Sequence, residues 1–257
     1  MRIIVSPAKK MRVYTESPRP LGTPRFLGDA ERILAWMRTL PYPEAKRLWA
    51  ASDAIARPVY DRLPHLDLTD PAELTPALLA YDGIAFAYMA PDVFSEQDFA
   101  YVDDHLLILS GLYGVLRPYD GVVPYRLEMQ AKAHVAGTRS LYDYWGDRIA
   151  KAVAAPGETV VNLASKEYSR CVERHLPAGA RLVTCTFGEL VGGRVVQRGV
   201  YAKMARGDMV RFMAEQGVEG PEGLRSYDRM GYRLDEGRSD ADELVFVRDG
   251  RDMRDES

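Results

Sequence analysis

Cysteine is nearly missing from this 257-residue chain: Cys171 and Cys185 are the only two. Neither sits in a CxxC pair or near a histidine at ligand spacing. That argues against a zinc knuckle or a disulfide framework and fits structural thiols in a reducing compartment. Histidine is almost as scarce. His65, His105, His134 and His175 are scattered, and no Glu-x-x-His pair of the di-iron type exists, so no metal site and no cofactor are expected. The opening residues MRIIVSPAKK hold one short apolar run followed by Lys9 and Lys10. That is neither a signal-peptide core nor a membrane span, and we expect a cytoplasmic chain with no membrane partner. No GxxxxGK[ST] and no GxGxxG occurs, which leaves nucleotide hydrolysis and dinucleotide chemistry without a motif. Neither sign of charge dominates: 34 Lys and Arg against 37 Asp and Glu give a net charge of -3, so a polyanion would need a local patch.

What is present is a core-forming chain with 47% hydrophobic residues, long enough for a large buried interior. Short apolar runs alternate with amphipathic stretches up to about residue 185. The runs 2–6, 83–88, 106–110 and 159–163 read as buried strands, and helices are expected near 27–39, 43–56, 71–81, 95–104 and 141–154. Farther on, 181–187 and 194–198 flank Val191-Gly192-Gly193 as a hairpin, and 243–248 forms a last strand. The fold class is therefore mixed α/β (α+β), with a central mixed sheet and flanking helices. We expect a single domain over 1–248, a surface loop at 17–24 and a disordered tail at 249–257.

The stretch 201–213, Tyr-Ala-Lys-Met-Ala-Arg-Gly-Asp-Met-Val-Arg-Phe-Met, carries the sharpest signal. At about 100° per residue, Lys203, Arg206, Gly207 and Arg211 share one side of a helix, opposite Ala205, Met209, Phe212 and Met213. Glycine inside a helix costs about 1 kcal/mol relative to alanine. Gly207 therefore marks a close approach, either of a polyanion to the flanking cations or of a neighbouring element. Strand-end loops supply further anion-binding candidates. Lys9, with Lys10 beside it, follows the first strand. Gly111 and Gly114 fall in a turn whose N–H groups can face a phosphate, with Arg117 close behind. Arg126 stands two residues from Glu128, on the same side of an extended segment or in a structural ion pair. Ser165, Lys166 and Tyr168 follow the strand at 159–163, with Ser165 also suited to cap the next helix. Glu128, Asp147, Glu167 and Tyr168 are the acid-base candidates if the site is catalytic. The acidic run Asp235, Glu236, Asp240, Asp242 and Glu243 reads as a solvated loop rather than a cation site.

Taken in order, SPAK at 6–9, Phe94-Ser95-Glu96, LSGLYGVLRP at 109–118, PYRLEM at 124–129, YWGD at 144–147, NLAS with Glu167-Tyr168, YAKMARG at 201–207, Gly231-Tyr232 and ELVF at 243–246 resemble the YaaA family of bacterial peroxide-stress proteins along nearly the whole chain. The resemblance implies a cytosolic protein that limits free iron during hydrogen peroxide stress, with a mixed α/β fold and a positively charged cleft. It also implies sequence-independent binding of double-stranded DNA through a helix-hairpin-helix element. Ala54 stands where members often carry lysine. In this chain the element would be the helix ending at Gly217, a tight turn through Gly220, and a second helix from Pro221 to about Tyr227. Glu219 and Glu222 oppose that use, so Lys203, Arg206 and Arg211 would supply the attraction, and the hairpin at Gly111 and Gly114 is the alternative contact. Two readings remain open, a DNA-binding protector and an enzyme acting on a nucleic-acid or phosphate-bearing substrate in the same cleft. The oligomeric state is open as well.

Overall fold

The computed structural model describes residues 1–14 and 21–248. The expected tail at 249–257 and residues 17–20 of the loop expected at 17–24 lie outside the described residues. The strands are β1 (Arg2–Val5), β2 (Thr75–Pro76), β3 (Leu106–Ser110), β4 (Gly114–Leu116), β5 (Gly121–Val122), β6 (Thr159–Asn162), β7 (Arg181–Val191), β8 (Arg194–Val196), β9 (Arg233–Leu234) and β10 (Glu243–Arg248). The α-helices are α1 (Leu27–Arg38), α2 (Tyr42–Leu48), α3 (Asp53–Arg62), α4 (Ala77–Ala80), α5 (Ile84–Met89), α6 (Glu96–His105), α7 (Leu141–Trp145), α8 (Arg148–Val153), α9 (Lys166–Glu173) and α10 (Gly199–Gln216).

Eight strands form a mixed sheet in the order β4-β3-β1-β6-β7-β10-β9, with β8 paired to β7, while β2 and β5 make a separate ribbon. The apolar runs Ile3-Ile4-Val5 and Leu106–Ser110 are buried throughout, as expected of central parallel strands covered on both faces. β1 is parallel to β3 on one side and to β6 on the other, with Val5 opposite Ile108 and Ile4 opposite Asn162. The chain leaving β1 thus reaches β3 first and later crosses to β6. The crevice beyond the carboxyl ends of β1 and β6 lies at this reversal, where sheets of this kind usually receive ligands.

Four of the sequence expectations need correction. The expected helix over 71–81 is instead a turn, the two-residue strand β2 and the four-residue α4. Residues 84–89 form α5, not a strand. A six-residue apolar run suits either element, and here the alanines at 85 and 87 favour helix. The helix expected over 141–154 is broken at Gly146, whose φ of +52° ends α7 before α8 begins. The expected helix over 43–56 is split into α2 and α3. Elsewhere the local chemistry works as written. Ser95 and Asp98 form a reciprocal capping box at the start of α6, and Gly192 and Gly193, both at positive φ, turn β7 into β8.

α10 crosses one face of the β7 and β10 side of the sheet. Phe187 stacks on Phe246 with ring centres 5.2 Å apart, and Tyr227 fits edge-on against both Phe212 of α10 and Phe246. Such aromatic pairs add about 0.5–1.5 kcal/mol each beyond area burial. The amino-terminal end of α10 is pinned by charge as well. Buried Arg248 of β10 donates to Glu189 of β7 at 2.7 Å and lies over the ring of Tyr201 at 3.8 Å.

Candidate functional site

A cleft of about 500 Å³ opens at the carboxyl ends of β1 and β6. Five segments build it. The Ser6–Lys10 loop and the start of α9 are tied together, because the Ser165 amide donates to Ser6 Oγ at 2.8 Å and the two hydroxyls lie 3.1 Å apart. Ser165 occupies the N-cap position of α9, yet its hydroxyl is turned to Ser6 and makes no cap. α5 and α10 form the opposite wall. Tyr125–Glu128 closes the floor, with the Tyr125 hydroxyl held by Ser110 Oγ at 2.6 Å and Tyr81 at 2.9 Å.

Lys9, Lys10, Arg126, Lys203 and Arg206 face this cleft along with Asp82, Glu128 and Glu167. Five basic groups against three acidic ones give an excess of two positive charges inside a chain of net -3. Lys9 pairs with Glu128 at 2.8 Å and Lys10 with Asp82 at 2.5 Å, while Arg126 stands 3.9 Å from Glu128. Lys203 is exposed and has no acidic partner among the described residues. Glu167 accepts the Gln130 amide at 3.1 Å, and burial together with neighbouring Glu128 pushes its carboxyl above the ordinary range. Burial raises the Tyr168 hydroxyl far out of reach of neutral pH, so Tyr168 acts here as a proton donor or a wall, not as a phenolate. A carboxyl whose hold on its proton is strengthened by burial, beside cations, is suited to acid-base work.

Of the residues singled out from the sequence, Lys9, Lys10, Arg126, Glu128, Ser165, Glu167, Tyr168, Lys203 and Arg206 converge on this cleft. The others go elsewhere. Arg211 pairs with Glu215 at 2.6 Å farther along α10, outside the cleft lining, and Lys166 pairs with Glu173 at 2.6 Å. Arg117 pairs with buried Asp120, and Asp147 pairs with Lys151 on α8. Gly111 and Gly114 are packed in the interior: a Cβ on Gly111 would meet the Leu127 carbonyl oxygen at 2.7 Å, and one on Gly114 would meet the Trp145 ring at 3.0 Å. Their turn is closed to a phosphate. Gly207 does mark a close approach, but to a helix, since its added Cβ would lie 2.7 Å from the Ala85 carbonyl carbon and closer still to the oxygen. Ala54 sits on the exposed side of α3 and does not line the cleft.

The element after α10 also differs from expectation. Gly217 adopts the left-handed conformation and caps α10, but Pro221–Ser226 is a 3₁₀ helix and not a second α-helix. Val218 is buried with its carbonyl taken by the Tyr101 hydroxyl at 2.6 Å, so this hairpin is docked on α6. What the sequence reading missed is α5. The Asp82-Gly83 turn before it was the available signal, because Gly83 lets Ala8 of the opposite loop approach.

Both cysteines are free and buried, and burial pushes each thiol up to about 12. A thiolate is the form that reacts with peroxide, so neither residue is built as a peroxide sensor. We expect native protein to show no sulfenate labelling after hydrogen peroxide treatment, and unfolded protein to label readily. Among the described residues no group of three or more His, Cys, Asp or Glu is arranged to hold a metal ion. The late acidic run is engaged instead: Asp235 by Arg238, Glu236 by Arg225, and Asp242 by Arg181. No helix among the described residues is long and apolar enough to cross a membrane.

The model of the family described as peroxide stress protein YaaA matches residues 1–238. A UPF0246 protein of Desulfitobacterium hafniense is 48% identical over 248 residues, covering 96% of this chain and 98% of the relative. UPF0246 proteins of Agathobacter rectalis and Pediococcus pentosaceus are each 46% identical over 248 residues, covering 96% of this chain and 99% and 98% of theirs. With a match of this extent, the chain belongs to the YaaA family of peroxide stress proteins.

Proposed function

We propose that the chain serves peroxide defence in the cytosol by holding double-stranded DNA at the cleft through its phosphates, without reading bases, and that it thereby limits iron-driven damage where the iron would react. The observation that carries this reading is the convergence of five basic side chains from three separate segments on one cleft of a net-negative molecule. Lys9, Lys10 and Lys203 are exposed at its mouth, where a backbone phosphate can displace the weak surface pairs of the first two. The proposed contact uses the cleft and not the hairpin after α10, whose turn is packed inward and flanked by Glu219 and Glu222.

The test is a duplex titration across salt. Each phosphate contact contributes about 0.9 to the slope of log K against log salt, so Lys9→Glu/Lys203→Glu should lower the slope by about 2 and weaken binding at least tenfold. Affinity equal to that of the unaltered protein would remove the cleft from this role. A second reading, turnover of a phosphate-bearing substrate, is favoured by one observation. Glu167, with its raised carboxyl, and Glu128 share the floor with Arg126 and Arg206. Strand scission or phosphate release that disappears in Glu167→Gln would establish it.

A further inference from the structure

Arg206 extends from α10 into the cleft with its Nε buried and unpartnered, and no carboxylate pairs with it among the described residues. Cys185 lies within electrostatic reach, but its buried thiol remains neutral and offers no counter-charge. Guanidinium groups stay charged in proteins, and a desolvated charge without a partner destabilises the fold. Arg248 differs in having a carboxylate: it is more fully withdrawn from solvent and two of its nitrogens also lack a hydrogen bond, but its charge is matched by Glu189 at 2.7 Å. Arg126 repeats the pattern in milder form, with a buried Nε lacking a hydrogen bond. Two guanidinium groups therefore line one hollow, each with a buried Nε that has no acceptor, and only Arg126 has a carboxylate nearby, Glu128 at 3.9 Å.

The hollow itself limits what can supply them. About 500 Å³ falls within the range of small-molecule sites, roughly 300–1,000 Å³, and is far too small for a duplex. Part of its wall is apolar, where Ile84, Phe86, Leu127 and Leu163 line it. An anion joined to a flat, largely apolar body satisfies both halves of the site.

We infer that the cleft floor is a receptor for one nucleotide-sized unit, its phosphate seated on Arg206 and Arg126 and its ring against Ile84, Phe86 and Leu127. This deepens the DNA reading above and rests on it for the choice of a nucleotide over other phosphate-bearing molecules. The unit is either a free mononucleotide or a single unpaired nucleotide turned out of a strand, and both present the same chemistry to the floor.

Calorimetric titration with deoxyadenosine and thymidine 5′-monophosphates, with inorganic phosphate as the control, tests it on the full chain. The unaltered protein should bind both mononucleotides more tightly than phosphate. Arg206→Met should weaken that binding at least tenfold, and Arg206→Lys should retain part of it. A structural arginine would lower the melting temperature when removed. Arg206→Met should instead raise that of the unliganded protein by about 2 °C or more, which also confirms that the variant folds. Preference for a duplex bearing one unpaired nucleotide over a fully paired one, lost in Arg206→Met, identifies the strand as the source; mononucleotide binding without that preference identifies the free compound. Mononucleotide affinity unchanged in Arg206→Met overturns the inference, as does failure of the unaltered protein both to bind mononucleotides and to prefer the unpaired duplex. If paired duplex alone fails to bind while mononucleotides still do, the duplex reading falls and the receptor stands.

Discussion

Gly207→Ala should destabilise the protein by about 3 kcal/mol or more, although alanine is the better helix former by about 1 kcal/mol. The new methyl group would be driven into the Ala85 carbonyl, which belongs to backbone and cannot rotate aside. Relief requires α5 and α10 to part, and both are walls of the cleft. The loss should therefore appear twice, as a lower midpoint in urea with an unchanged m-value, and as weaker duplex binding. Gly217→Ala, at a left-handed cap with open space around it, should cost only about 1 kcal/mol and leave binding intact. If the two variants behave alike, the backbone contact between α5 and α10 is not the reason for the glycine.

Removing Glu189 should be nearly as damaging. Glu189→Ala leaves Arg248 buried without its carboxylate, and breaking a buried pair from one side costs about 3–5 kcal/mol. The pair also sets a pH dependence whose sign follows from the shift. Hydrogen bonding to Arg248 holds the Glu189 carboxyl below its ordinary value, with Arg198 at 3.4 Å assisting. A depressed carboxyl contributes its full stability above the unfolded-state pKa of about 4.3 and loses it as pH falls through the lower folded value. Acid unfolding of the unaltered protein should accordingly be steeper below pH 4.3 than that of Glu189→Gln, with the two curves running parallel above pH 6. Parallel curves throughout would show that the pair adds nothing through charge.

The contrast between these two sites shows how much could be read from sequence. Parallel strands declared themselves as unbroken apolar runs, because both faces of β1 and β3 are covered. The cationic side of α10 was visible at helical spacing, but only its first half faces the cleft. Arg211 lies more than one turn beyond Arg206, and Glu215 at i+4 claims it. Gly207 announced a close approach without saying to what, since a helix interior and a phosphate backbone ask the same of a glycine. The α5 wall escaped notice because six apolar residues carry too little period to separate helix from strand. Gly111 and Gly114 looked like a phosphate turn, and only the packing of Trp145 and of the Leu127–Glu128 backbone shows that the space is filled. Pairing partners far apart in sequence, such as Glu189 with Arg248 or Ser6 with Ser165, have no local signature at all.

The backbone-to-backbone seat of α10 on α5 has a mechanical consequence. Where side chains separate two helices, a rotamer change can widen the gap by an ångström; where a carbonyl rests against a bare Cα, no such adjustment exists. That jaw of the cleft is a fixed anvil. Any give needed to admit or release a guest must come from the opposite lip, the Ser6–Lys10 segment, whose hold on α9 runs through one hydroxyl, Ser6 Oγ, bonded to the Ser165 amide and hydroxyl.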